Sequence, residues 1–153
     1  MNMTVNRFLS ALGCCLVVST LILSPACGQA QPKEITRAQA RQLVLAQLES
    51  DGFDLKSPDL VVEDQPDDPD MPGFYLFSGY TIGKGMNFSA GAYAVGHRTV
   101  ELWNWMHCWR FTRAKRVRAL QKQFRKEIGL SESEYHRLLA TRPFCFSVPV
   151  SEH

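Results

Sequence analysis

The sequence predicts a small α+β domain: an antiparallel sheet of three to four strands with an N-terminal helix and a C-terminal helical hairpin. Three observations lead there. Apolar residues recur at helical spacing over residues 36–50 and again over 112–139, the mark of one-sided helices. Between them lie short runs rich in aromatic and β-branched residues. The glycine-bearing connections joining these runs are too short for a crossover, so neighbouring strands run antiparallel. About 123 residues remain once an N-terminal leader is set aside, enough for one core and too few for a second domain or a separate cofactor module.

Residues 1–30 read as a secretory signal peptide and residues 31–153 as the domain. MNMTVNR carries a positive charge at Arg7, the uncharged stretch from Phe8 to Ala26 follows, and small residues stand at Gly28 and Ala30. That is the order of an export signal. Gly13 and several Ser and Thr residues dilute the apolar stretch, and no basic residue stops transfer before Lys33, which weighs against a spanning anchor. Two processing routes fit. One is cleavage after Ala30. The other is lipid attachment at Cys27, within an imperfect lipoprotein signal, Ser24-Pro25-Ala26-Cys27, whose Leu23 stands one place too far from the cysteine. Either route leads to the periplasm or the exterior, and the second leaves the domain anchored to a membrane.

The domain opens on a helix. Thr36 and Gln39 have the spacing of a capping box with Ile35 just outside; Ala40, Leu43, Val44 and Leu48 form an apolar stripe, and Asp51-Gly52 ends it. The run EDQPDDPD from Glu63 to Asp70 places five acidic residues and two prolines in eight positions. Repelling charges and missing backbone donors predict a solvated loop there. A calcium loop is the sharper alternative, but the spacing and the central glycine of an EF-hand are missing.

Residues 73–80 form the first strand, the Gly83-Lys84-Gly85 segment a turn, and residues 89–95 the second strand. No Gly-Lys-Ser/Thr follows the two glycines, so a phosphate-cradling loop is not expected. A third strand starts at Val100 and reaches at most to Phe111. Unbroken, it would put Trp103, Trp105 and Trp109 on one face with Glu101. Either it breaks near Asn104-Trp105, the favoured reading, or the aromatic row is a binding surface. Thr112 is expected to cap a second helix with Val117, Leu120, Phe124 and Ile128 inside. Ser131 and Glu134 have the spacing of a second capping box, opening the third helix. Pro143 closes it, and residues 144–148 are extended.

Of the five cysteines, Cys14, Cys15 and Cys27 lie in the leader, leaving Cys108 and Cys145. In an exported domain these read as one disulfide, contributing about 3–4 kcal/mol through loop closure. A catalytic thiol is disfavoured, because His107 and Cys108 would point to opposite faces of a strand.

Charge is distributed unevenly. Residues 31–96 hold 5 basic and 10 acidic side chains, a net of −5; residues 97–153 hold 11 basic and 5 acidic, a net of +6. Seven of the basic residues lie between Thr112 and Glu127. Such a face suits an acidic protein or, more weakly, anionic headgroups. Nucleic acid is not expected, since export removes it and no binding motif surrounds the basic run.

The run GFYLFSGYTIGKGMNFSAGAYAVGHRTVELWN resembles small bacterial exported proteins with a PepSY-like arrangement of an opening helix and a hairpin. Ile35-Thr36-Arg37-Ala38-Gln39-Ala40 match the helix, and Tyr93, Val95, Thr99, Glu101 and Trp103 match the hairpin. Val100 stands where such proteins commonly carry the turn glycine. The resemblance covers roughly residues 34–105, and it implies inhibition, protein interaction or regulation in the envelope, with no catalytic residues.

The function expected is a non-enzymatic envelope or secreted protein that binds another protein, as an inhibitor or an immunity-type partner of a toxin, without cofactor or metal. Trp103, Trp105 and Trp109 are the candidate anchors, with Arg116, Lys122 and Arg125 as the charged rim. Two alternatives stand beside it. One is an envelope hydrolase dividing acid–base work between Glu101 and His97 or His107, although no His-Glu-x-x-His or Gly-x-Ser-x-Gly is present. The other is a structural protein touching anionic lipid through the basic helix.

Overall fold

Thr36 accepts the Gln39 amide proton through its hydroxyl, and the Gln39 side chain accepts the Thr36 amide proton. This reciprocal cap starts α1 (Arg37–Ser50), satisfying two otherwise unpaired donors. Gly52, at φ 92°, turns the chain away after it. Leu43, Val44 and Leu48 are fully buried, each contributing about 1.5–3 kcal/mol relative to exposure. The computed structural model describes residues 33–139, all within the compact unit Gln31–His153. The leader, Cys27 and the expected C-terminal strand with Cys145 lie outside the described residues.

Five strands follow in order, β1 (Leu60–Asp64), β2 (Phe74–Ile82), β3 (Asn87–Gly96), β4 (Leu102–Asn104) and β5 (Trp109–Arg110). They form one antiparallel sheet ordered β1-β2-β3-β4-β5. The sheet has five strands where three to four are expected: β1 runs into the stretch read as loop, and the favoured break of the third strand leaves β5 beyond it. Glu63 and Asp64, assigned to the acidic loop, belong to β1, because Leu60, Val61 and Val62 before them pair with Thr81, Tyr80 and Gly79. The third strand divides at residues 105–108, where Asn104 Oδ1 accepts the amide protons of Met106 (3.1 Å) and His107 (3.0 Å). That local bond offers the backbone a turn in place of the ladder.

The helical hairpin is present as α2 (Lys115–Glu127) and α3 (Glu132–Leu139). Thr112 is not the cap of α2; Ala114 holds that position without a side-chain bond. In α3, Ser131 accepts the Glu134 amide proton (3.2 Å), while the Glu134 carboxylate turns to Arg137 and Arg98, so the box is half formed.

The main core lies between the sheet and the helices. Phe77, Tyr93, Val95 and Leu102 meet Leu43, Val44 and Leu48 of α1 and Val117 and Phe124 of α2. On the other face the register aligns Leu76, Ala94 and Trp103 across three strands, and Met71, Phe74 and Trp105 pack with them. Among the described residues no helix is long and apolar enough to cross a membrane.

Candidate functional site

Val100 is fully buried and held at φ 60°, a left-handed conformation costly for a β-branched residue. The consequence reaches its neighbour. The turn interrupts strand alternation, so Val100, Glu101 and Leu102 are all buried in succession. Glu101, which an unbroken strand would set on the face of the three tryptophans, is 4% exposed.

A buried carboxylate requires partners, and the C-terminal helices bring them. Arg125 of α2 donates to Oε1 at 3.0 Å and Arg110 Nε approaches Oε2 at 3.5 Å. The Tyr135 hydroxyl of α3 also donates to Oε1. The Arg125 guanidinium lies 4.2 Å from the centre of the Tyr135 ring, a cation–π contact. Burial, then the bond to Glu101, pushes the Tyr135 phenol up to about 12. This cluster forms the floor of a cleft of about 650 Å³ between β5 and the two helices. Arg118, Lys122 and Lys126 rise from one wall at i, i+4 and i+8, the same helix face.

A second cleft, of about 510 Å³, lies on the other side of β5, where Trp109 and Arg113 meet Gln47 and Asp51 at the end of α1. Trp109 belongs to a broader feature. The β2–β3 turn carries Ile82, Met86 and Phe88, exposed by 50%, 61% and 56%; the β4–β5 turn carries Met106 and Trp109, exposed by 54% and 55%. Because Asn104 pairs with Tyr93 and Leu102 with Val95, the chain leaves β4 toward the start of β3. Both turns therefore sit at one end of the sheet. Leu55, also exposed, precedes β1 at that same end, since Leu60 pairs with Thr81. All six exposed large hydrophobic residues among the described ones lie toward that end of their strands or in the loops beside it.

The expected anchor-and-rim set is divided by the fold. Trp103 and Trp105 are half-buried against the minor core, whereas Trp109 is opposite Asn104 and on the other face. Arg116 pairs with Glu49 of α1, and Arg125 with Glu101. Of the set, only Lys122 and Trp109 are exposed without being ion-paired or packed into the core among the described residues. Ile82, Met86 and Phe88 escaped sequence reasoning; the signal was apolar residues flanking a glycine turn.

The acid–base set does not assemble either. Glu101 is held by two arginines and a tyrosine. His97 lines a different hollow beside Glu34 and Gly73, its ring 3.9 Å from that of Tyr75. His107 lies on the exposed β4–β5 turn, beside the Trp109 ring at 5.2 Å. The acidic run is tied to α1 instead of open to an ion: Arg37 pairs with Asp67 at 2.5 Å and Arg41 with Asp64 at 2.8 Å. Among the described residues no group of three or more His, Cys, Asp and Glu is placed to hold a metal ion.

No family model and no curated protein matches the chain. A solved chain from the structure of a type VI secretion system effector-immunity complex from Pseudomonas protegens is similar. It is 26% identical, with a TM-score of 0.57 over 70% of this chain and 88% of that one. The likeness spans nearly all of that chain, so it concerns a whole small fold rather than a shared fragment.

Proposed function

We propose that the protein is an exported, non-enzymatic binding protein, an immunity-type partner that neutralises a secreted toxin by occupying its surface. The observation that carries this reading is the likeness to a chain of an effector-immunity complex. The molecule supports it independently. A small domain that gathers its exposed Trp, Phe, Met and Ile side chains at one end has the anchors from which tight interfaces are built. Exposed large apolar side chains biased to one end of a small domain are what a partner's surface would cover. Glu101 supports the same reading by its surroundings: Oε1 accepts from Arg125 and Tyr135 and Arg110 stands near Oε2, which suits a structural anion better than a general base.

The test is protection. The chain, expressed with its leader, is paired with the neighbouring gene's product directed to the periplasm. Growth should be restored, and the purified proteins should co-elute as a stoichiometric complex. Replacing Trp109 and Phe88 by alanine should weaken that complex by about 100-fold, as loss of central aromatic anchors does. A toxic product against which the folded, abundant chain neither protects nor co-elutes overturns the reading.

A further inference from the structure

We infer that the cleft floored by Glu101 is a receptor for an acidic segment of the protein partner, a contact separate from the apolar end. The inference rests on the protein-binding reading above and adds a second place and a chemistry to it. Three observations converge.

The first is unsatisfied charge. Arg118, Lys122 and Lys126 line the cleft and take part in no ion pair among the described residues. Like charges at i and i+4 destabilise a helix by a few tenths of a kcal/mol per pair. No ion pair among the described residues offsets that, whereas neighbouring Arg116 and Arg125 are each matched to a carboxylate.

The second is saturation of the floor. Glu101 is the one buried acid in the cleft, and two arginines and a tyrosine hydroxyl already surround it. It cannot also serve the rim, and the exposed Glu132 is the other acid in the lining, so against Arg110, Arg118, Lys122, Arg125 and Lys126 the cleft still presents a net positive face to an incoming chain.

The third is a donor with nothing to bond. Gln121, between Arg118 and Lys122, lines the same cleft and is 4% exposed, and its Nε2 has no partner among the described residues. A buried amide left unpaired costs about 1–3 kcal/mol, a cost that an acceptor in the cleft would remove once the Gln121 side chain turned outward to meet it. A row of cations with an amide donor beneath suits carboxylates carried on an extended chain. The cleft's 650 Å³ accommodates a few residues of such a segment.

The experiment compares two double reversals with the same change in net charge: Arg118→Glu with Lys122→Glu in the cleft, and Lys33→Glu with Lys115→Glu outside it. Far-UV circular dichroism checks that both variants fold. In the toxin complex the cleft variant should lose about 10-fold or more in affinity, chiefly through slower association, and the control less than about 3-fold. If the wild-type complex forms and both variants bind alike, the cleft inference is overturned and the immunity reading stands.

If the wild type forms no complex, the immunity reading fails, and a fluorescein-labelled octaglutamate peptide tests the cleft alone. Binding at low salt that is lost in the cleft variant and kept in the control supports it; equal loss in both overturns it. Vesicles of phosphatidylcholine with phosphatidylglycerol form the last arm. Cleft-dependent capture by vesicles without peptide binding assigns the site to a lipid surface and overturns the inference.

Discussion

Glu101→Ala is the sharpest probe of how the C-terminal helices are held to the sheet. No residue of α3 is fully buried, so polar contacts carry much of its attachment. Tyr135 donates to Glu101, Arg98 reaches Glu134 at 3.0 Å, and Arg125 stacks on the Tyr135 ring. At an effective dielectric near 20, one charge pair at about 3 Å gains about 5 kcal/mol, much of which the desolvation of a buried carboxylate cancels. Removal is another matter. Truncating Glu101 leaves Arg125 and Arg110 facing each other with no carboxylate between them, and breaking a buried pair costs about 3–5 kcal/mol. Arg125 keeps 20% and Arg110 36% of its side-chain exposure, so water recovers part of that loss. The expected destabilisation is therefore at the low end, about 3 kcal/mol.

Urea denaturation followed by tryptophan fluorescence measures it, together with a fall in Tm of about 10–20 °C. Glu101→Gln, which keeps an acceptor for Tyr135, should lose only about 1–2 kcal/mol. Glu101→Leu combined with Arg125→Met should recover most of the stability lost by Glu101→Ala, since apolar replacement of an entire buried pair is commonly neutral or better. Amide exchange should accelerate first in α3. A Glu101→Ala shift under about 1 kcal/mol at an unchanged m-value would refute the reasoning, showing that water replaces the carboxylate at no cost.

Three further outcomes follow from the same geometry. Tyr135 titrates at about 12 in the fold against 10.0 for the free phenol; the folded chain keeps a proton that the unfolded chain releases. Stability is thus whole below about pH 10 and declines as pH rises toward about 12. Tyr135→Phe should flatten that decline in denaturation at pH 9 and pH 11 (values chosen about this window). It should not abolish it, because burial also raises the Tyr93 phenol. Gly91→Ala places a methyl group 2.5 Å from the Tyr93 hydroxyl at φ 143°, and should cost about 3 kcal/mol by calorimetry; a change under about 1 kcal/mol would mean that the buried ring can yield. We propose Cys108 and Cys145 as a disulfide, so intact mass of the oxidised protein should show no alkylation before reduction and two alkylated thiols after it, with Cys145→Ser costing about 3–4 kcal/mol.

What was legible in the sequence was local. The Thr36–Gln39 cap is written in adjacent positions and formed as written. The break of the third strand was legible at Asn104 because an Asn side chain competes for nearby backbone donors, and it does so with Met106 and His107. Failures came wherever a distant strand or a single dihedral decided the matter. Pairing with β2 made Glu63 and Asp64 part of a strand, although their own neighbourhood reads as loop. The φ of Val100 turned Glu101 inward, against the alternation that sets it with the three tryptophans. The three tryptophans look like one row, but the hairpin register sends Trp109 to a different face from Trp103. The apolar end is assembled from three separate loops, and no window of sequence contains it.

The basic helix shows why departures from local rules separate structural charge from binding charge. α2 starts without a side-chain cap, and its first turn carries Lys115 and Arg116 and no acid, a poor match to the positive helix start. Sequence alone assigns every one of these charges the same role. In the fold they part company: Arg116 reaches back to Glu49 and ties α2 to α1, and Arg125 reaches Glu101 and ties α2 to the sheet and to α3. Those two are explained by folding. Arg118, Lys122 and Lys126 are not, since they add repulsion along one helix face and stabilise nothing else among the described residues. A sequence that keeps a local conflict without a compensating contact within the fold has its compensation outside it. On the binding reading proposed above, a partner would account for Arg118, Lys122 and Lys126, while folding accounts for Arg116 and Arg125.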